Sequence, residues 1–167
     1  RNHGRVGAID GPFAIRKSLA SFPIHNPNDF KLFDAGNISC SDGNLEQAQN
    51  ELATAVQMLK QAGLTPIVLG GGHEVAYGHY TGLKNADPQK HIEIINFDAH
   101  FDLRAYDEGA SSGTPFLQIA DDLAKTQQKF SYFVLGIQEI SNTKRLFETA
   151  LEKNVEFLSA NLINSNS

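Results

Sequence analysis

The chain of 167 residues holds a single cysteine, Cys40, and a single methionine, Met58. One thiol cannot close an internal disulfide. With no apolar signal segment at the start of the chain, the expected compartment is the reducing cytoplasm. Long apolar runs are missing too: Ile67-Val68-Leu69 and Phe133-Val134-Leu135 fall far short of the roughly 20 residues that cross a bilayer. Basic runs are equally scarce. Lys and Arg number 14 against 19 Asp and Glu, a net charge of −5 that argues against a nucleic-acid or anionic-membrane surface. The chain also lacks an initiator Met, and its Asn- and Ser-rich stretch 161–167 reads as a disordered tail or a truncation point. What remains is an ordinary globular composition, 41% hydrophobic and 20% charged, at a length that suits one domain with a sizeable core.

Helix and strand signals alternate along that length. Gly11-Pro12 followed by Ala14, Ile15, Leu19 and Phe22 predicts a helix with Pro in its first turn. Leu45, Ala48, Leu52, Ala55, Val56, Leu59 and Ala62 recur three and four apart, between a cap at Ser41 or Asp42 and a stop at Gly63. Further helices are expected over 74–84, over 115–125 behind Thr114-Pro115, and from a cap at Ser141 or Asn142 to Lys153. Strands are expected near 31–34, 66–70, 92–97, 131–135 and 155–158. Continuous apolar strands alternating with helices predict a three-layer α/β/α fold around a mainly parallel sheet covered on both faces, with the ligand site beyond the carboxyl ends of the strands.

The chemistry gathers at those ends. Asn96-Phe97-Asp98-Ala99-His100-Phe101-Asp102 follows a buried strand, and in extended backbone residues i, i+2 and i+4 point to one side. Asp98, His100 and Asp102 are therefore expected to converge, and two carboxylates beside one imidazole call for a cation. A carboxylate-rich set with one imidazole suits Mn²⁺ better than Zn²⁺. The competing reading is a turn in which Asp98 caps the next segment. A second motif, Gly70-Gly71-Gly72-His73-Glu74, follows the strand expected at 66–70. It reads either as a phosphate cradle at a helix N-terminus or as the delivery of His73 to the same edge as a fourth ligand.

Together these motifs resemble the ureohydrolase superfamily of arginases and agmatinases. The fuller strings GGGHEVAYGHY, NFDAHFDLR, SSGTPF and YFVLGIQ look closest to its formimidoylglutamase branch. Arginases and agmatinases usually carry Asp before the first ligand His and Asn at the position of Arg104. The resemblance runs over almost the whole chain and implies one partial arginase-like domain over 1–167. It implies that His73, Asp98 and Asp102 hold one manganese and that Asp98 and His100 hold a second, with Asp98 bridging. Asp98 and His100 are the implied catalytic residues. The implied reaction is hydrolysis of N-formimidoyl-L-glutamate to glutamate and formamide, through a water that two ions activate together. Arg104 could clamp the glutamate carboxylate bidentately. Ser111, Ser112 and Thr114 could donate to substrate, or merely shape the loop and cap the helix. His79, His91 and Cys40 are expected to be structural or inert.

The family's later D-x-D pair is not found after Asp102. Asp121-Asp122 is adjacent rather than spaced, and lies in a helical pattern. The expectation is a chain that by itself retains one manganese or none and does not turn over substrate. The whole protein is expected to be a homo-oligomer acting on a small molecule, with no nucleic acid or membrane as partner. The alternatives are another amidine hydrolase of the arginase or agmatinase type, a non-catalytic α/β module that binds phosphate or a small molecule, and an assembly fragment whose sheet edge pairs with another chain.

Overall fold

A computed structural model describes residues 7–23, 25 and 31–164. Helix α1 spans Gly11–Leu19 behind a short 3₁₀ turn, with Pro12 in its first turn as expected. Helix α2 spans Leu45–Gln61 and α3 spans Val75–Ala86. Then β1 (Ile94–Phe97), α4 (Pro115–Lys125), β2 (Tyr132–Ile137), α5 (Lys144–Glu152) and β3 (Glu156–Ser159) alternate. Helix α6, Ala160–Asn164, occupies most of the stretch expected to be a tail, and residues 165–167 lie outside the described residues.

The three strands form one parallel sheet in the order β1-β2-β3, with Ile94 opposite Tyr132 and Leu135 opposite Leu158. Strands added in one direction through right-handed crossovers send their helices to the same face. Side chains of α4 and α5 accordingly meet Tyr132 and Val134 in a single core with Phe101, Leu103 and Ile119, and α3 packs against its rim through Tyr77 and Tyr80. The other face of the sheet stays open: Phe97 is 80% and Ile95 63% exposed, so among the described residues the sheet is covered on one side.

Two expected strands do not form. Residues 64–70 join no ladder, Ile67 is exposed, and Pro66 brings no N–H to offer a neighbour. Residues 31–34 lie wholly exposed, and Asp34 instead accepts from Gly36 N–H at 3.0 Å and from Arg16 at 3.0 Å, which turns the backbone locally. Two caps also move. Asn44, rather than Ser41 or Asp42, accepts from Gln47 N–H at 3.1 Å, and Thr143, rather than Ser141 or Asn142, caps α5.

Helices α2 and α3 approach backbone to backbone because Gly78 and Gly82 lie one turn apart on the facing side of α3. A Cβ at Gly82 would stand 2.5 Å from the Ala53 carbonyl and 2.6 Å from Val56 Cβ. Neither neighbour can yield without moving the helix, and overpacking of this kind costs about 2–3 kcal/mol. Gly82→Ala is expected to lower the stability of the chain by that amount in chemical denaturation, despite alanine's better helix propensity. An unchanged midpoint would show that the two helices separate freely.

Candidate metal centre

The carboxyl end of β1 is tied to β2 and to the residue that follows it. Asp98 N–H donates to the Leu135 carbonyl at 3.0 Å, and Gln138 N–H donates to the Ala99 carbonyl at 3.1 Å. Beyond Asp98 the chain bends at Ala99 and His100 instead of continuing extended. Asp102 then adopts φ +48°, a left-handed conformation that Asp tolerates better than most residues. The outcome differs from strict alternation. Asp98 and Asp102 come together on one side, while His100 meets Asp98 alone, from its other side.

His73 completes the group from the glycine turn that precedes α3. Its Nδ1 lies 2.6 Å from Asp102 Oδ2 and 3.2 Å from Asp98 Oδ2. One ligand atom each from His73, Asp98 and Asp102 fall within 4.8 Å of one another. His100 stands on the far oxygen of Asp98, its Nδ1 3.2 Å from Oδ1, with its backbone N–H donating to the same atom at 2.9 Å. Asp98 thus faces His73 with one oxygen and His100 with the other, and His100 remains 47% exposed. The hydrogen bond to Asp102 raises the pKa of His73 against the opposing pull of burial, and the charges of Asp102, Asp98 and Glu74 add to the rise. An imidazolium between two carboxylates relieves the repulsion that a cation would otherwise relieve. One imidazole nitrogen with two carboxylate oxygens is a donor set that fits a hard divalent ion such as Mn²⁺.

Sequence reasoning assigned Asn142 to a helix cap and missed what it does. It is 8% exposed, accepts from Phe101 N–H at 3.1 Å, and donates to the carbonyls of Ala99 at 2.7 Å and Gln138 at 2.8 Å. Tyr132, read only as core, donates its hydroxyl to the Phe101 carbonyl at 3.1 Å and accepts from Asn96 Nδ2 at 3.0 Å. These two side chains fix the bend that carries Asp98 and Asp102. No sequence signal marks Asn142, because the burial that obliges its amide to find partners is set by residues about 40 positions away.

The loop 103–113 leaves the centre at Asp102 and returns to it, where Phe116 N–H reaches the Asp102 carbonyl at 3.4 Å and the Phe116 ring meets that of His73 edge-on. Arg104 is exposed, its backbone N–H donates to the Gly113 carbonyl at 2.9 Å, and its side-chain stem lies across Gly113. Ser111 accepts from Gly113 N–H at 3.3 Å, and Ser111 and Ser112 are half-buried. Thr114 is 1% exposed, with its hydroxyl 2.8 Å from Gln118 Oε1 and accepting from Ser111 N–H at 3.0 Å, so of its two expected roles the structure favours shaping the loop. The glycine turn itself is poorly suited to phosphate: the Glu74 carboxylate lies against Gly72 and would repel an anion there. His79, half-buried, has its pKa lowered by burial, and exposed His91 contacts Ser131 Oγ. Cys40 is an exposed free thiol. Among the described residues no helix is long and apolar enough to cross a membrane.

The chain matches the Arginase family over residues 1–167. It is 51% identical over 157 residues to the formimidoylglutamase of Chromobacterium violaceum, covering 94% of this chain and 50% of that protein. It is 50% identical to the formimidoylglutamase of Streptococcus pyogenes over 160 residues, 94% of this chain and 49% of the relative. The chain therefore spans about half the length of the curated relatives it matches. Its fold is similar to the crystal structure of Trypanosoma cruzi formiminoglutamase with Mn²⁺, with a TM-score of 0.85 and 27% identity over 100% of this chain and 58% of that one. Formimidoylglutamase from Bacillus subtilis shares the fold at a TM-score of 0.84 and 22% identity, over 98% of this chain and 52% of that one.

Proposed function

Because the chain belongs to the arginase family, we propose that it carries the first ligand cluster of a manganese-dependent hydrolase that cleaves a C–N bond of the linear amidine N-formimidoyl-L-glutamate. The observation that carries this reading is the meeting of His73, Asp98 and Asp102 at the carboxyl end of β1. These three residues would hold one ion, and His100 with the second oxygen of Asp98 would face another. When bound, manganese supplies a water of lowered pKa and polarises the amidine.

The chain's own residues do the rest. Asn142 and Tyr132 hold the bend, so the carboxylates need little reorganisation to accept an ion. Asp102 holds the orientation of the His73 ring through Nδ1, so the imidazole would meet an ion from a fixed position. Arg104, at the start of the loop beside the cluster, would take the glutamate carboxylate in a two-pronged hydrogen bond, and Ser111 and Ser112 line the same loop. A charged clamp left empty disfavours substrates without that carboxylate.

In the whole protein loaded with Mn²⁺, N-formimidoyl-L-glutamate should turn over with a higher kcat/KM than arginine or agmatine. Arg104→Ala should raise its KM roughly 10- to 100-fold, the value of a charge-assisted hydrogen-bond pair, with kcat little changed because a remote contact binds ground and transition states alike. Equal turnover of agmatine would discard the clamp, and no formamide release at all would discard the reaction.

A further inference from the structure

The pair Asp121-Asp122, which has the wrong spacing for a metal motif, has another arrangement on α4. Each carboxylate is engaged by one tyrosine and one lysine. Asp121 accepts from the Tyr106 hydroxyl at 3.0 Å and from Lys153 Nζ at 2.6 Å. Asp122 accepts from the Tyr77 hydroxyl at 2.6 Å and from Lys125 Nζ at 2.7 Å. The two tyrosines occupy matching places in the sequence: Tyr77 follows His73 by four residues, and Tyr106 follows Asp102 by four. Both segments that run on from the candidate ligands are thus tied to neighbouring carboxylates on a single helix.

The Asp121 branch bears on the loop 103–113. That loop is pinned at its base by the Arg104–Gly113 backbone bond and closed at Gly109, whose N–H donates to the Tyr106 carbonyl at 2.8 Å. Arg104 forms one side of that base, two residues before Tyr106. Burial, together with the hydrogen bond to Asp121, pushes the Tyr106 hydroxyl up to about 12, so it stays a donor throughout the neutral range. Lys153, in the turn after α5, neutralises Asp121 from a third segment.

We propose that Tyr106, Asp121 and Lys153 are positioning residues that hold the loop so that Arg104 is preset to receive the substrate carboxylate, an inference that rests on Arg104 being the carboxylate clamp. A loop held in its bound conformation before substrate arrives does not have to be ordered by it, and the benefit falls on substrate binding.

The test uses the whole protein loaded with Mn²⁺. Tyr106→Phe removes one oxygen from a partly buried ring and should raise KM for N-formimidoyl-L-glutamate about fivefold, the worth of one hydrogen bond, with kcat within about twofold. In the double variant with Arg104→Ala, KM should be no higher than in Arg104→Ala alone, since the tyrosine acts through the arginine. Asp121→Asn keeps an acceptor for Tyr106 and should raise KM less than Asp121→Ala. Lys153→Met provides a second entry to the same network and should reproduce the KM effect in milder form. If Tyr106→Phe lowers the melting temperature but leaves KM unchanged while Arg104→Ala raises it, the tyrosine is only structural and the proposal fails with the clamp intact. Additive effects in the double variant overturn it as well. If Arg104→Ala itself leaves KM unchanged, the clamp reading fails and takes the proposal with it.

Discussion

Asp102→Asn should weaken Mn²⁺ binding by the chain on the order of 100-fold or more, since losing even an outer partner of a metal ligand costs 10- to 100-fold. Asn tolerates the left-handed backbone at this position nearly as well as Asp, so the φ of +48° need not relax and the loss reports on the ligand. Titration calorimetry should give one ion per chain before the substitution, because the described cluster offers three ligands in one group. Unchanged affinity in the variant, or two ions per chain in the parent, would refute the assignment.

The pH dependence of the same titration has a fixed sign. Ligation needs the neutral imidazole, and Asp102 raises the pKa of His73. Binding should therefore weaken as pH falls through that raised value, and in Asp102→Asn the onset should move to lower pH. Without metal the linkage to folding runs the other way. The imidazolium between its two carboxylates contributes stability that is fully present below the unfolded pKa of histidine, and this is lost as pH rises through the folded value. Proton and metal ion thus hand over the same place between Asp98 and Asp102 as pH rises.

Asn142→Ala is expected to cost about 1–3 kcal/mol of folding stability, because it leaves the buried Phe101 N–H without an acceptor. The Phe101 N–H loses its acceptor, and the Ala99 and Gln138 carbonyls each lose a donor. The Ala99 carbonyl keeps the Gln138 N–H and the Gln138 carbonyl keeps the Ser141 N–H, so the damage concentrates at Phe101, whose side chain lies fully buried among the rings of Phe147 and Phe157. Urea denaturation should show a lowered midpoint with an unchanged slope, and Mn²⁺ affinity should fall because Asp98 and Asp102 flank the loosened segment. Asn142→Asp keeps an acceptor for Phe101 N–H but loses both donors, and should lie between parent and alanine variant. A change below about 0.5 kcal/mol, the range of ordinary surface substitutions, would show that the bend is held by Tyr132 alone.

The helices and the parallel β1, β2 and β3 were legible because apolar spacing and Gly or Pro punctuation act locally. Pro12, Pro115 and Gly63 each mark an end that the structure keeps. The ladder status of 64–70 was not legible, since an apolar run says nothing about whether a partner strand lies beside it. At the candidate site, His73, Asp98 and Asp102 could be picked out from residue type and from their place at strand ends. Their mutual geometry could not, because the bend at Ala99 and His100 and the left-handed Asp102 replace the extended backbone assumed for the alternation. Asn142 and the tyrosine–aspartate pairs escaped for a related reason: apart from Gln138, which stands four residues before Asn142, their partners lie 15 to 45 residues away in sequence, and no periodicity encodes such contacts.

The open side of the sheet decides how this chain behaves as a solute. Ile95, Phe97 and Leu158 are exposed, and among the described residues β1 has a ladder neighbour on one flank only. Contiguous apolar area beside a free strand edge is a self-associating colloidal surface. Sulfate and phosphate salts strengthen that attraction and low urea weakens it. Salting-out and dye-binding measurements on this chain would therefore register the sheet face, which lies apart from the histidine and the carboxylates at its end.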